Sequence, residues 1–221
     1  MSLRRVVAIG NSVLGRTIDA IHFTAAGYAK PRPPALLFAA IHGDEAVTQL
    51  MLERLADDLV ERPPGRDTWI VPCANPDGVL AGSRNNANDV DLNRNFASTS
   101  WGTLRRPGYN PGAAPEDQPE TQALVALIDR VGAARLIALH ATYRMINWDG
   151  SGEALARECA ERCGYPAERD IGYPTPGSFG AKYGVDQNLE VVTFESLYLM
   201  PDEAAWDECR SALRWCVDLP E

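Results

Sequence analysis

The chain has 221 residues, of which 45% are hydrophobic and 23% are charged, and its formal net charge is −9. A chain of this size and composition is expected to fold as one domain over residues 1–221, and it is too short for two large domains. The acidic charge disfavours nucleic acids and anionic membranes as partners.

The sequence indicates a cytoplasmic location. No apolar run approaches the roughly eighteen residues that a membrane span requires. The apolar stretch 6–9, after the basic start, is too short for the core of a signal peptide. The five cysteines lack C-x-x-C spacing, which argues against a disulfide framework or a thiolate zinc site. We therefore expect buried, reduced thiols.

The predicted elements alternate between strands and helices. A hairpin is expected around residues 16–24, and segment 35–41 is a continuous apolar run of the kind that forms a strand buried on both faces. Helical spacing of apolar residues defines the first helix. The remaining strands are predicted at 68–73, 135–139 and 190–194, and the helices at 46–60, 119–131, 152–163 and Asp202–Cys216. This alternation implies an α/β fold with a mixed, mainly parallel sheet flanked by helices.

A long segment rich in glycine and proline, residues 97–118, interrupts this pattern. Loops of that length inside a domain are commonly lids or binding loops. A solvated insertion is the alternative interpretation.

Four chemically active side chains follow the predicted strands. His42 ends the first strand and Glu45 lies in the next turn, while His140 and Glu195 follow two later strands. Functional groups of open α/β sheets gather beyond the carboxyl ends of the strands. The chain has only three histidines, and the third, His22, sits in an alternating strand pattern and is expected to be structural.

These residue types indicate a zinc hydrolase. Two imidazoles and one carboxylate, here His42, Glu45 and His140, form a common ligand set for one catalytic zinc ion and leave a position for water. Glu195 is then placed to act as the general base.

Five motifs resemble the zinc carboxypeptidases related to carboxypeptidase A. They are HGDE (42–45), NPDG (75–78), DLNRNF (91–96), LHA (139–141) and VTFES (192–196). Within that family, the chain is similar to the bacterial murein peptide amidases. The segments that carry this narrower resemblance are SRNNANDVDLNRNF (83–96), PETQAL (119–124) and GYPTPGSFG (172–180).

The resemblance implies roles for further residues. Arg84 is expected to polarise the scissile carbonyl and stabilise the oxyanion, and Asn93 and Arg94 to bind the carboxylate of the released residue. Asp91 is expected to orient His42 through its second ring nitrogen. Ser178, in the GSFG segment, is expected to shape the pocket for the released residue.

The same resemblance implies a small anionic peptide as substrate. The bond cleaved is the one between γ-D-glutamate and meso-diaminopimelate in a murein tripeptide, during cell-wall recycling. Arginines near the site would have to overcome the acidic field of the protein locally.

Two features depart from the family pattern or stay open. No mobile active-site tyrosine can be aligned, and Tyr109, Tyr173 and Tyr183 are the candidates. Asp89 stands where glycine is more usual and is expected to affect only a turn.

The motifs give less support to the roles of three further residues. Asn147 and Asp149, assigned to a loop beyond His140, could bind the ammonium group of diaminopimelate, although a solvated loop is the preferred interpretation. Glu120 is expected to favour the first turn of its helix rather than bind substrate.

Three alternative functions remain at this stage. One is a general metallocarboxypeptidase acting on ordinary peptides. Another is an N-acyl amino acid deacylase of the aspartoacylase or succinylglutamate desuccinylase type, which shares H-x-x-E and the DLNR element. The third is a non-catalytic module that only binds anionic peptides.

Overall fold

A computed structural model describes residues 4–27, 32–103, 107–197 and 202–219. Within these ranges, one sheet of eight strands forms the centre of the protein. The strands are β1 (Arg4–Asn11), β2 (Thr17–Phe23), β3 (Ala35–Phe38), β4 (Thr68–Val71), β5 (Arg135–Ala141), β6 (Met145–Gly150), β7 (Ala167–Glu168) and β8 (Glu190–Ser196). The helices are α1 (Val47–Glu61), α2 (Pro76–Ala81), α3 (Pro119–Val131), α4 (Glu153–Cys163) and α5 (Asp202–Cys216).

The strand order is β1-β2-β4-β3-β5-β8-β6-β7. The pairs β4–β3, β3–β5, β5–β8 and β6–β7 are parallel, whereas β1–β2, β2–β4 and β8–β6 are antiparallel. The predicted α/β fold with a mixed, mainly parallel sheet is confirmed.

Helices cover both faces of the sheet. On one face, α1, α4 and α5 pack their apolar stripes against residues such as Leu37 and Ile137. On the other face, α3 and a π-helical segment (Gly180–Asp186) pack against Leu36 and Leu136. The central strands therefore carry apolar side chains on both faces, which explains their continuous apolar runs.

The predicted helices are confirmed, and helix α3 follows the sequence signals closely. The hairpin expected around residues 16–24 is confirmed only in part, because that segment forms the single strand β2 and its partner is β1. Pro119 occupies its first turn, and Gly132 ends it with a left-handed φ of 64°. None of the helices in the described part of the chain is long and apolar enough to cross a membrane.

Two predicted strands are shorter than expected. The predicted strand 35–41 stops at Phe38, because Ala40 adopts a left-handed φ of 49° and turns the chain out of the sheet. The predicted strand 68–73 stops at Val71, and Cys73 beyond it is half-buried rather than buried. The other four cysteines are buried free thiols, as expected.

The interpretation of Asn147 and Asp149 as a solvated loop is wrong. Both residues belong to β6, which pairs antiparallel with β8. Asn147 is buried and Asp149 is half-buried. This strand, strands β1 and β7, helix α2 and the π-helical segment were not predicted.

Candidate active site

The three predicted metal ligands converge at the carboxyl edge of the sheet. His42 Nδ1 lies 3.0 Å from Glu45 Oε1, and His140 Nδ1 lies 3.0 Å from Glu45 Oε2. The two Nδ1 atoms are 3.2 Å apart. All three residues are buried, and one ligand atom from each lies within 4.8 Å of the others. Two imidazoles and a carboxylate at this spacing fit a single zinc ion.

The local backbone of the His42–Glu45 turn brings two of these ligands together. Ala40, in its left-handed conformation, donates its N–H to Thr48 Oγ1 at 3.1 Å, and Thr48 Oγ1 donates to the Glu45 carbonyl at 2.7 Å. The Glu45 N–H donates to the His42 carbonyl at 3.1 Å. The start of α1 therefore fixes the turn that carries both ligands.

Gly43 in this turn has no room for a side chain. A Cβ atom there would lie 2.0 Å from the carbonyl carbon of Gly78, at the start of α2. The glycine lets the turn lie directly against the NPDG segment, whose Asn75 side chain donates to the Ile41 carbonyl. This contact explains why the two motifs occur together.

Asp91 joins His42 to Arg84. Its Oδ1 lies 3.1 Å from His42 Nε2, the ring nitrogen that points away from the ligand cluster. Its Oδ2 accepts bonds from Arg84 Nε at 3.1 Å and Arg84 Nη2 at 2.9 Å. Asp91 is fully buried, so its charge depends on these two partners.

Electrostatics of the cluster fit a bound dication. Burial alone would lower the pKa of His42, but Glu45 and Asp91 outweigh it and raise that pKa to about 9. Burial would raise the pKa values of Glu45 and Asp91, yet the neighbouring histidines and arginines hold both well below their usual range. The two carboxylates thus attract positive charge, which a zinc ion supplies in place of the proton on His42.

Glu195 lies beside this cluster, and its pKa is unusually high for a carboxyl group. It pairs with His140 across β8 and β5, and it is buried. Burial, followed by the charge of Glu45, raises its pKa to about 8. A carboxyl group with a pKa near neutrality, next to a candidate metal site, has the properties of a general acid–base group.

Two arginines face the site with different pairings. Arg84 Nη1 lies 3.3 Å from His42 Nδ1 and 3.9 Å from Glu45 Oε1. Arg94 is buried and donates to the Asn93 carbonyl at 2.6 Å, but it forms no ion pair with the described residues. Tyr109 lies beneath both guanidinium groups, with its ring centroid 5.1 Å from Arg84 Cζ and 5.3 Å from Arg94 Cζ.

Asn93 connects the ligand cluster to the cavity wall. Its Nδ2 lies 3.3 Å from His140 Nε2, and its Oδ1 accepts from the Phe179 N–H at 2.9 Å. Ser178, one residue earlier in the wall, is buried, and its Oγ accepts from the Ala181 N–H at 3.0 Å. Both residues line the cavity, together with Arg94.

The cavity has a volume of about 240 Å³. All three ligands, Glu195, Arg84, Asn93, Arg94 and Ser178 line it, whereas Asp91 lies behind His42. The structure therefore brings all the predicted site residues together.

The three candidate tyrosines differ in whether they line the cavity. Tyr109 and Tyr173 line the cavity, but Tyr183 is packed in the core against Phe179 and does not. Tyr143 also lines the cavity and was not identified from the sequence. It lies three residues after His140, just beyond the end of β5, so the strand-end rule that found the histidine also indicates this tyrosine.

The described parts of segment 97–118 are anchored to the site, which argues against a solvated insertion. Asn95 Nδ2 donates to the carbonyl groups of Pro111 and Ala114 and to Asp117 Oδ1. The Asp91 N–H donates to the Asn110 carbonyl at 2.8 Å. The segment therefore holds Tyr109 in the cavity wall; residues 104–106 lie outside the described part.

Three smaller expectations agree with the structure. Asp89 adopts a left-handed φ of 57° in a turn, where Asn85 Nδ2 donates to its carboxylate at 2.9 Å. Glu120 is buried in the first turn of α3 and accepts from the Val13 N–H and from Asn86 Nδ2, so its role is structural. His22 is also structural, because it stacks on Trp69 with ring centroids 4.3 Å apart.

Residues 2–171 match the family described as zinc carboxypeptidase. The chain belongs to the zinc carboxypeptidase family. The matched residues include the three metal ligands and end before Glu195. Membership confirms the expected zinc cofactor and a hydrolytic enzyme acting on amide bonds.

The chain is also similar to individual members of the family. It is 36% identical over 210 residues to murein peptide amidase A of Escherichia coli K12, covering 89% of this chain and 83% of that protein. It is 30% identical over 198 residues to murein peptide amidase A of Vibrio campbellii, covering 84% and 77%.

Two solved structures of related proteins resemble this chain over 97% or more of its length. The murein-tripeptide amidase MpaA from Escherichia coli O157 superposes with a TM-score of 0.78 at 30% identity, covering 100% of both chains. Carboxypeptidase A from Helicoverpa armigera has a TM-score of 0.83 at 19% identity, covering 97% of this chain and 68% of that one. The second match concerns the fold alone.

Proposed function

We propose that this zinc carboxypeptidase family member hydrolyses the bond between γ-D-glutamate and meso-diaminopimelate in a murein tripeptide. The observation that carries the proposal is the position of the buried Arg94. It lies in the same cavity as the His42–Glu45–His140 cluster and forms no ion pair with the described residues, although it feels the charge of Asp91. A buried, unpaired guanidinium favours an anionic ligand. The names of the relatives, murein peptide amidases, support the murein substrate.

Zinc, held by His42, Glu45 and His140, supplies Lewis acidity that lowers the pKa of water and polarises a carbonyl oxygen. Asp91 orients His42 through the hydrogen bond to Nε2. These four residues prepare the site without contacting the released residue.

Binding begins at the free carboxylate of the residue to be released. Arg94 pairs with that carboxylate through its guanidinium fork, and Asn93 adds its amide group. Ser178 lines the cavity beside them and shapes the space for the side chain. Fixing this end of the substrate directs the scissile amide toward the ligand cluster.

Glu195 carries the proton transfers. Its carboxylate takes a proton from the attacking water and delivers it to the departing amine nitrogen. Arg84 donates to the oxygen of the scissile carbonyl as negative charge develops there. Its other nitrogens are held by Asp91, so the guanidinium needs little reorganisation.

We further propose that residues 1–221 act as a single metallopeptidase domain in the cytoplasm, on peptides recovered during peptidoglycan recycling. The cysteines support a reducing compartment, because all five are free thiols. Fractionation of cells that express the chain tests the location.

The test of the proposed function is hydrolysis of L-alanyl-γ-D-glutamyl-meso-diaminopimelate by the zinc-loaded protein. Wild type is expected to release free diaminopimelate, and Glu195→Gln to release at least about 100-fold less. Glu161→Gln, an exposed site on α4, is the matched control. No release by zinc-loaded wild type would reject the murein assignment.

The same assay separates the alternatives. Faster cleavage of ordinary C-terminal peptides would identify a general metallocarboxypeptidase, and cleavage of N-acyl amino acids alone would identify a deacylase. A zinc-free protein that binds the tripeptide without cleaving it would identify a binding module.

A further inference from the structure

We propose that Asp149 and Arg169 form a subsite for a second amino-acid centre in the side chain of the released residue, with Asp149 binding its ammonium group and Arg169 its carboxylate. The ligand class is a diamino dicarboxylic acid. The proposal rests on the proposed function and deepens it, because it assigns the residues that select this substrate.

The first argument is the row of side chains on the cavity side of the sheet. Met145 and Asn147 of β6 pair with Glu195 and Thr193 of β8, and Asp149 follows one row further on. Paired residues of neighbouring strands present their side chains to the same face. The sheet therefore places polar side chains along the cavity, from the general base Glu195 to Asp149.

The second argument is the state of the Asp149 carboxylate. It is half-buried in the cavity wall, yet it makes no hydrogen bond or ion pair with the residues that the structure describes. Burial raises its pKa, and the charge of Arg169 offsets this only in part. An ammonium group in the cavity would supply the missing partner.

The third argument is that the surrounding chain leaves space for this carboxylate. A Cβ atom at Gly180 would lie 2.1 Å from Asp149 Oδ2, and one at Gly184 would lie 2.2 Å from Asp149 Cβ. Both glycines belong to the π-helical segment that covers this part of the sheet. Side chains at either position would displace Asp149, so these two glycines leave the space that the Asp149 side chain occupies.

The fourth argument is a second cavity that continues the first. It has a volume of about 400 Å³, and five of its lining residues, including Asn147, Asp149 and Tyr173, also line the active-site cavity. Arg169 lines only this second cavity and is exposed at its rim. Asn147 fixes that rim, because its Nδ2 donates to the Arg169 carbonyl at 2.7 Å.

The distance from Glu195 to Asp149 matches a released residue whose long side chain carries a second amino-acid centre. Asp149 pairs with Val191, four residues before Glu195, which corresponds to about 13 Å along the strand. The seven bonds from the scissile carbonyl carbon to the distal nitrogen of diaminopimelate span about 9 Å when extended. A hydrogen bond of about 3 Å at the distal end closes most of the difference.

Three tripeptides that differ only in the last residue test the subsite: meso-diaminopimelate, L-lysine and L-norleucine. Lysine lacks the distal carboxylate, and norleucine lacks both charged groups. Asp149→Asn is expected to lower kcat/KM by about 30-fold or more for the first two substrates and to leave norleucine within about threefold. Arg169→Ala is expected to reduce the ratio of kcat/KM for the diaminopimelate tripeptide to kcat/KM for the lysine tripeptide.

Two variants control the interpretation. Gly180→Ala is expected to reproduce the pattern of Asp149→Asn, because its Cβ displaces the carboxylate. Glu168→Gln, an exposed neighbour on β7, is expected to change no preference. Zinc content is measured for every variant.

Each outcome has one meaning. If wild type cleaves none of the three substrates, the proposed function fails. If wild type cleaves norleucine and diaminopimelate tripeptides equally, or if Asp149→Asn keeps the wild-type preference, the subsite is overturned while the proposed function stands. Loss of all three activities in zinc-loaded Asp149→Asn would also overturn it, because a selectivity residue should spare norleucine.

Discussion

Glu195 and His140 occupy paired positions on the parallel strands β8 and β5. His140 contacts Glu45 at 3.0 Å, whereas no hydrogen bond or ion pair joins Glu195 to the ligand cluster in the described part of the chain. The strand register, rather than a contact with the ligands, therefore holds the base beside the metal site. Changes at Glu195 should leave the ligand geometry intact.

Zinc uptake should release protons at pH 7. In the metal-free protein, His42 has a pKa of about 9 and Glu195 one of about 8, so both are mainly protonated. A dication removes the proton from His42 and lowers the pKa of Glu195. Calorimetry in buffers of different ionisation enthalpy should show about one proton fewer released by Glu195→Gln than by wild type. Equal release would contradict the raised pKa of Glu195.

The metal-free protein should lose stability between pH 7 and pH 9. The pKa of His42 is raised from 6.5 to about 9, so its contribution is complete below pH 6.5 and disappears as pH rises through 9. That of Glu195, raised from 4.5 to about 8, disappears through pH 8. Each group changes the free energy of unfolding by about 1.4 kcal/mol per pH unit within its window.

Other groups of the cluster do not reverse this trend. The lowered pKa values of Glu45, Asp91 and His140 affect stability only below their ordinary values, the highest of which is 6.5. Thermal unfolding of metal-free and zinc-loaded protein measures the effect, and the increase in unfolding midpoint on zinc binding should grow with pH. A metal-free midpoint that stays constant from pH 7 to pH 9 would reject the assignment.

Asp91→Asn should weaken zinc binding by about 10- to 100-fold, because it loses the charged partner of His42 Nε2. Arg84→Ala should lower kcat by about 100-fold or more and leave zinc affinity unchanged. Competition with a chelator separates the two effects. Asp89→Asn, in the exposed turn nearby, is the control. Similar zinc affinities for Asp91→Asn and wild type would show that Asp91 serves only Arg84.

The strand-end rule located the ligands because the carboxyl ends of parallel strands share one edge of the sheet. The positions of His42 and His140 after apolar runs were enough to identify them as candidate ligands. The register of β5 and β8 places Glu195 beside His140. Strand β6 was missed for a physical reason. Its polar residues Asn147 and Asp149 face a cavity rather than solvent, so its short sequence has the composition of a loop.

The turn at Ala40 could not be predicted either. Alanine has no preference for a left-handed φ, and two long-range contacts stabilise it here. The Ala40 N–H donates to Thr48 Oγ1, and the Ala40 carbonyl accepts from the Asn75 N–H. Only the folded chain brings these partners together, so the end of strand β3 was placed too late.

Gly43→Ala should destabilise the protein by about 1–3 kcal/mol and reduce zinc affinity, because the new Cβ meets the backbone of α2 at 2.0 Å. Backbone atoms cannot rotate away as a side chain does, so the ligand turn must shift. Gly82→Asn is a suitable control, since its Cβ meets open space and asparagine tolerates the left-handed conformation. Denaturant unfolding and chelator competition measure the two effects. An unchanged Gly43→Ala protein would contradict the close contact.

Arg94→Met should stabilise the metal-free protein while removing its recognition of a free carboxylate. The guanidinium is buried and forms no ion pair in the described part of the chain, and burial lowers its pKa despite the nearby charge of Asp91. Methionine keeps much of the apolar stem and removes the cost of burying the charge. The gain should be about 1 kcal/mol or more, despite the lost bond to the Asn93 carbonyl.

Activity should change in the opposite direction. Wild type should cleave a substrate with a free terminal carboxylate much faster than the matched terminal amide, and Arg94→Met should reduce that ratio by about 30-fold or more. Arg130→Met, exposed at the end of α3, should change neither property. A less stable Arg94→Met protein that keeps the wild-type ratio would mean that Arg94 braces the DLNRNF segment. Greater stability with a lost preference would mean that the protein keeps a destabilising charge because the substrate carboxylate requires it.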